Sequence, residues 1–326
     1  MTEAKPDIAW PDGKRFAFTI FDDPDGQTLD ISQKIYGVLA ESGLRTTKAV
    51  WPIGPRRQRN SSGDTCESAD FAKHCQALQA AGFEIAYHNA APHDSNRGET
   101  EEALNVFREA FGHDPESMAN HYINKDAIYW GAARLTGLTK KIYSASQLWH
   151  DHSFFGHEPD SEYFWGDLCV ERVRYCRNFG FTELNTLKAC PWMPYADPRR
   201  PFVAQWYACA EGADVDEFCG ALSESAQDQL ESEGGASVLY THFGKGFVKN
   251  GVVNPEFVRL IRRMSAKQGW FVPVSRLLDY IRAQRGECTI TDSQRTRLER
   301  HWLREKLLGR VSSKIASVLR PDRITG

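Results

Sequence analysis

Three apolar runs in this chain end abruptly in groups that can move protons or hold a metal. The first, Phe16 to Phe21, stops at Asp22 and Asp23; the second, Gly82 to Tyr87, stops at His88, with His93 five residues later; the third, Ala236 to Thr241, stops at His242. Short runs rich in Phe, Ile, Val and Tyr read as buried strands, and in α/β folds the C-terminal ends of strands are where sites are assembled. A carboxylate together with two imidazoles makes an open metal site that leaves coordination positions for water and substrate. Amide or ester hydrolysis needs those features: an activated water, a polarised carbonyl and a proton for the leaving group.

These residues carry a resemblance. Phe21-Asp22-Asp23, the pair His88/His93 and the late strand ending in His242 resemble the polysaccharide deacetylase family, carbohydrate esterase family four, over residues 14 to 285. The resemblance implies a distorted (β/α) barrel that removes acetyl groups from sugars with a divalent metal, usually zinc. It implies Asp22 as general base, Asp23, His88 and His93 as metal ligands, and His242 as the acid that protonates the departing amine or alcohol. Two departures stand out. Four residues separate His88 from His93 where the family has three, with Pro92 before the second. The family's arginine motif is replaced by Met118-Ala-Asn120-His121-Tyr122-Ile-Asn124, so His121 or Asn120 is the candidate partner for the base. Asp94 is a candidate to orient or replace His93. Phe164-Trp165-Gly166-Asp167 stands where the family has its Asp-Trp motif; Trp165 then walls a sugar ring or fills the core, and Asp167 orients a partner. Asn89, His121, Trp165 and Asp167 complete the substrate-binding candidates.

The elements that must position these groups alternate. Strands are expected at 16–21, 46–51, 82–88, 117–120, 140–144, 172–179, 203–209, 236–242 and 270–272, and helices at 29–41, 68–81, 99–111, 126–135, 214–233, 255–267 and 274–285. Such alternation predicts an α/β fold with a mainly parallel sheet. Residues 1–288 form the barrel in this reading, and 289–326 a basic helical extension with nine Lys and Arg against four Asp and Glu. That extension either packs on the barrel or offers a basic amphipathic face to an anionic membrane or a partner. Residues 146–170, rich in His and aromatics, interrupt the alternation; His150, Asp151, His152 and His157 are candidates for an accessory metal site.

With 326 residues, 41% of them hydrophobic, the chain suits one barrel, and a net charge of −3 gives no footing for nucleic acid. No apolar run approaches the ~20 residues that span a bilayer, and the polar start Met1-Thr-Glu-Ala-Lys-Pro-Asp lacks a secretory signal, so a cytoplasmic enzyme is expected. The eight cysteines form no CxxC pair and are expected as reduced, mostly buried thiols. The functional expectation is a metal-dependent deacetylase of an N-acetylated sugar or glycan precursor. Its rivals are an inactive barrel that binds a glycan or partner, and a hydrolase of another non-peptide C–N bond.

Overall fold

The computed structural model describes residues 8–146 and 153–319, for 309–319 the backbone only. The expected alternation is realised as a parallel barrel. In chain order the elements are β1 Phe16–Asp22, α1 Leu29–Glu41, β2 Thr47–Val50, α2 Ala69–Ala80, β3 Glu84–Tyr87, α3 Arg97–Phe111, β4 Ser117–Met118, α4 Gly137–Ser146, α5 Gly166–Arg172, β5 Tyr175–Phe181, α6 Thr186–Ala189, β6 Gln205–Glu211, α7 Val215–Ala221, α8 Glu224–Glu233 and β7 Ala236–Thr241. A small hairpin (β8 Val248–Lys249, β9 Val252–Val253), α9 Pro255–Ser265, β10 Gly269–Phe271, α10 Val274–Arg285 and α11 Asp292–Leu319 complete the chain.

Strands β1 to β7 pair in order, and β7 pairs back to β1 along Ala17–Asp22, which closes the ring. β10 fills the lower half of the β1–β2 gap: it pairs with Phe16–Phe18, whereas β2 pairs with Phe21 and Asp22. The expected distorted (β/α) barrel is the observed architecture. Every residue of β1 is buried, as a parallel strand covered on both faces requires.

Three elements differ from their sequence reading. Residues 140–144 lie in α4, a helix whose Thr139 hydroxyl donates to Glu299 of α11. Residues 126–135 hold turns and a short 3-10 segment, Gly131–Arg134, instead of an α-helix. The acidic stretch 214–233 breaks at Leu222–Ser223 into α7 and α8.

The described part of α11 packs on the barrel. Glu299 accepts from the Thr136 amide at 2.9 Å, and Trp302 lies against Phe179 and Tyr143, with ring centres 5.4 and 5.5 Å away. Side chains 309–319, which bear much of the amphipathic pattern, lie outside the description, as do His150, Asp151 and His152. All eight cysteines are free thiols, six of them buried. No described helix is long and apolar enough to cross a membrane.

Candidate active site

The C-terminal ends of β1, β3, β5 and β7 open into a cavity of ≈ 590 Å³, lined at its base by Asp23, Asp25, His88, His121, Arg177, Tyr240 and His242. Strand geometry decides which β1 carboxylate reaches it. Successive side chains point to opposite faces. The Phe21 ring lies 5.0 Å from the cavity-lining Arg177 guanidinium, so Phe21 and Asp23 share one side and Asp22 takes the other. There Asp22 accepts from Gln27 Nε2 (2.9 Å), Tyr36 hydroxyl (3.0 Å) and the Phe243 amide (2.9 Å), with Lys48 Nζ at 3.7 Å. Burial pushes its carboxyl upward, against the pull of Lys48 and these donors. Asp22 does not line the cavity, which corrects its expected role as base.

Asp23 extends β1 by one rung, its amide donating to Thr241 O at 2.8 Å. Its carboxylate is gripped by Arg177, Nη1 to Oδ1 at 2.9 Å and Nη2 to Oδ2 at 2.6 Å, with both side chains buried. A two-bond fork fixes a carboxylate's plane as well as its position. Arg177 is itself held under the Tyr240 ring at 4.2 Å. Burial would weaken its hold on the proton, but Asp23 and its other neighbours prevail and raise it. The register of β5 against β6 shifts between Arg177 and Gly180, the kind of irregularity that re-aims side chains.

A turn follows, with Gln27 N donating to Pro24 O at 3.0 Å and Gly26 at φ +70 pressed against Gly244 O. It carries Asp25 back over the cavity. Asp25 Oδ1 accepts from the Ser61 hydroxyl (2.8 Å) and faces His121 Nε2 (3.2 Å). Its Oδ2 stands 3.6 Å from both His88 Nε2 and His242 Nε2 and has no hydrogen-bond partner. Burial alone would raise this carboxyl, yet His121 and His88 hold it far below the usual carboxylate range.

The imidazoles are held from behind. His88 ends β3, its amide donating to Val50 O, and Asn89 follows in the left-handed region at φ 59, which Asn tolerates better than most residues. Asn89 accepts from the His121 amide at 2.7 Å and donates to Asp126 at 2.7 Å, so it ties two loops together and does not line the cavity. His121 Nδ1 pairs with Asn124 Oδ1 at 2.8 Å. The Asn124 amide nitrogen donates to Ala91 O and His93 O, so only its oxygen is left for the ring. His121 must therefore donate from Nδ1, and Nε2 is the atom turned to Asp25. Burial would lower the His121 pKa, but the Asp25 partnership raises it. His242 donates from Nδ1 to Ala213 O at 2.6 Å, leaving Nε2 facing Asp25 and the Tyr240 hydroxyl; burial lowers its pKa.

His93 is not brought to this cluster. The turn through Asn89 and Pro92 carries it past, and its Nε2 accepts from the Arg56 amide at 3.0 Å while Glu99 lies 3.8 Å away. What His93 gives the site is its backbone carbonyl, which accepts from the Asn124 amide nitrogen. Asp94 is also outside: it accepts from Asn60 and from the Lys125 amide. Trp165 is fully buried in the core with Nε1 donating to Asp126 O, and Asp167 forms a half-exposed fork with Arg97. Neither lines the cavity. Asn120 lines it, but its amide is spent on both backbone groups of Ile128. His157, from the expected accessory cluster, lies against Tyr129 with ring centres 4.4 Å apart and planes tilted by 40°.

Asp25 and Arg177 were absent from the sequence reading. Asp25 lies in Asp-Asp-Pro-Asp-Gly, a run of turn formers, although it shares period-two parity with Asp23. Arg177 carried a signal too: a lone guanidinium inside a buried seven-residue strand.

Asp25, His88 and His121 offer ligand atoms all within 4.8 Å of one another, every one of the three residues buried. Bonds of about 2.0–2.1 Å in a tetrahedral site put neighbouring ligand atoms about 3.3 Å apart, close to the 3.2 and 3.6 Å separations seen here. The buried Asp25 Oδ2, which has no hydrogen-bond partner, is what a cation would satisfy.

No protein-family model matches the sequence, and no curated protein matches it. Among solved structures, the allantoinase PuuE superposes with a TM-score of 0.50 at 14% identity, over 86% of this chain and 95% of that one. A polysaccharide deacetylase-like protein from Mycobacterium smegmatis gives 0.47 at 16% identity, over 89% and 98%. The GH57-type branching enzyme from Pyrococcus horikoshii gives 0.46 at 9% identity, over 85% and 72%. What the allantoinase shares with this chain at such identity is the fold.

Proposed function

We propose that this protein is a metal-dependent hydrolase of the deacetylase type, cleaving an acetyl group from an acylated sugar. The observation that carries the reading is the division of labour at one cavity floor: a buried Asp-His-His group beside a separate carboxylate held by its own arginine. Asp25, His88 and His121 would hold the ion, and nitrogen and oxygen donors suit zinc. A divalent ion held there supplies a Lewis acid for the acyl oxygen and lowers the pKa of a bound water.

The remaining chemistry belongs to the chain. Asp23 takes the proton of the attacking water, with Arg177 fixing the carboxylate's direction. His242, with Nδ1–H committed to Ala213, presents Nε2 to the cavity, receives there the proton that Asp23 drew from the water and gives it to the amine or alcohol as the acyl C–N or C–O bond breaks. Its Nε2 stands 4.0 Å from Asp23 Oδ2, so the proton taken and the proton given lie on the same side of the floor. Asn124 sets the His121 tautomer and acts only through it.

The test is hydrolysis by zinc- or cobalt-loaded protein. N- and O-acetylated sugars are assayed for acetate, with a cyclic amide alongside because the fold is shared with an allantoinase. Asp23→Asn should retain the ion and lose about 10²–10⁴-fold in turnover, the usual worth of a general base. Full activity in that variant, or no hydrolysis of any substrate by the loaded protein, overturns the reading.

A further inference from the structure

The upper wall of the same cavity holds a cation that makes no ion pair among the described residues, with Glu211 of the same lining acting on it only at longer range. Arg134, in the 3-10 segment Gly131–Arg134, is 7% exposed and lines the cavity. Its guanidinium carbon lies 3.7 Å from the Trp130 ring centre and 4.7 Å from that of Trp302 on α11. Two aromatic faces thus lie against the guanidinium, and its hydrogen bonding is left to the N–H edge. That edge is almost unused: Nη1 makes one long bond of 3.4 Å to Asn178 O, and Nε has no partner.

Every other charge in the cavity is answered. Arg177 has Asp23, Lys306 has Glu211, and Asp25 has the imidazoles around it. Arg134 alone has no carboxylate within ion-pair reach among the described residues. Burying an unpaired cation is expensive, and stacking on tryptophan repays part of that cost. Burial also pushes its pKa down to about 10, so the side chain still carries its charge at neutral pH.

We infer that Arg134 is an anion-recognition subsite and that the substrate carries a carboxylate or phosphate apart from the bond that is cleaved. A guanidinium held against two rings with its N–H edge almost free is preorganised for such a planar or tetrahedral oxyanion. The Arg134–Asn178 contact places the subsite beside the residue that follows Arg177 on β5, and both arginines line the one cavity. On the hydrolase reading above, on which this rests, the substrate class narrows to acidic or phosphorylated acylated sugars.

Binding of inorganic phosphate and of glycolate at fixed ionic strength tests this without turnover, read by calorimetry and by the fluorescence of the tryptophans that flank Arg134. At least one of the two should bind the wild type, and Arg134→Gln should weaken it by tenfold or more, with Arg134→Lys intermediate. Which anion binds more tightly separates a phosphorylated substrate from an acidic sugar. The same titration in Asp25→Ala separates this subsite from the proposed ion. Binding that survives in Asp25→Ala and is lost in Arg134→Gln supports the inference. Binding that survives in Arg134→Gln, or failure of both anions to bind the wild type, overturns it. Hydrolysis is scored separately, so an inactive protein that still binds anions through Arg134 would fail the hydrolase reading alone.

Discussion

Asp22 and Asp23 are adjacent acids with opposite employment, and the difference lies in what each touches. Asp23 meets an arginine at the cavity floor; Asp22 meets a fully buried lysine behind the barrel wall. Lys48 Nζ has no hydrogen-bond partner and lies over the Tyr36 and Phe71 rings, at 5.3 and 5.2 Å. Truncating one member of a buried pair leaves the other charge uncompensated, which costs about 3–5 kcal/mol. Asp22→Ala should therefore lower stability by about that amount in urea denaturation while leaving the ligand set of Asp25, His88 and His121 in place. Wild-type stability in that variant would show that Lys48 does not depend on Asp22. The sequence carried the strand end but not this outcome, because at a strand terminus the chain can turn and either acid can face the cleft. Here the alternation simply continues. His93 was opaque for a related reason: the left-handed Asn89 redirects the chain, and no spacing rule reports a positive φ.

Elements were more legible than side-chain directions. Helices Leu29–Glu41 and Val274–Arg285 and the strand Phe16–Asp22 follow from long apolar periodicities with clear ends. The misread segment, α4, has Ile and Tyr side by side and little helical signal of its own; its helix is secured by tertiary contact with α11. Glu299 of α11 is the centre of that contact, accepting from Thr136, from Thr139 and from Arg200 at 3.3 Å, with no exposure of its own. Replacing Glu299 with Ala leaves the Thr136 N–H and hydroxyl without an acceptor, while Thr139 keeps the Thr136 carbonyl and Arg200 keeps Asp197. Each orphaned polar group costs about 1–3 kcal/mol, so the thermal midpoint should fall clearly. The loss should exceed that of Arg297→Ala on the same helix, a side chain that approaches the Trp192 ring at 6.0 Å. Equal midpoints would mean that α11 is not anchored through Glu299. Since Trp302 and Lys306 line the cavity, anchoring of this helix and the shape of the site are one matter.

For the whole molecule, buried acids set a pH window with two opposite slopes. Burial raises the Asp126 carboxyl to about 7, against the donors Ser95 and Asn89. Its folded pKa lies above the unfolded 3.8, so its contribution to stability is complete below about 4 and is lost as pH rises through about 7. Asp197 runs the other way. Burial would raise it, but Arg295 and Arg200 outweigh that and lower it, so its contribution is present above 3.8 and is lost as pH falls below. The stability profile should thus decline from pH 5 toward pH 8, and Asp126→Asn should flatten that decline without changing the acid limb. An unchanged slope in Asp126→Asn would remove Asp126 as its source.

The account as a whole turns on which three residues hold an ion. The measurement that decides it is the metal content of purified, zinc-reconstituted protein in four forms: wild type, Asp25→Ala, His121→Ala and His93→Ala. About one ion per chain in the wild type and in His93→Ala, with loss in both other variants, is the result expected from the geometry at the cavity floor. An ion lost on replacing His93 but kept without Asp25 or His121 would contradict it.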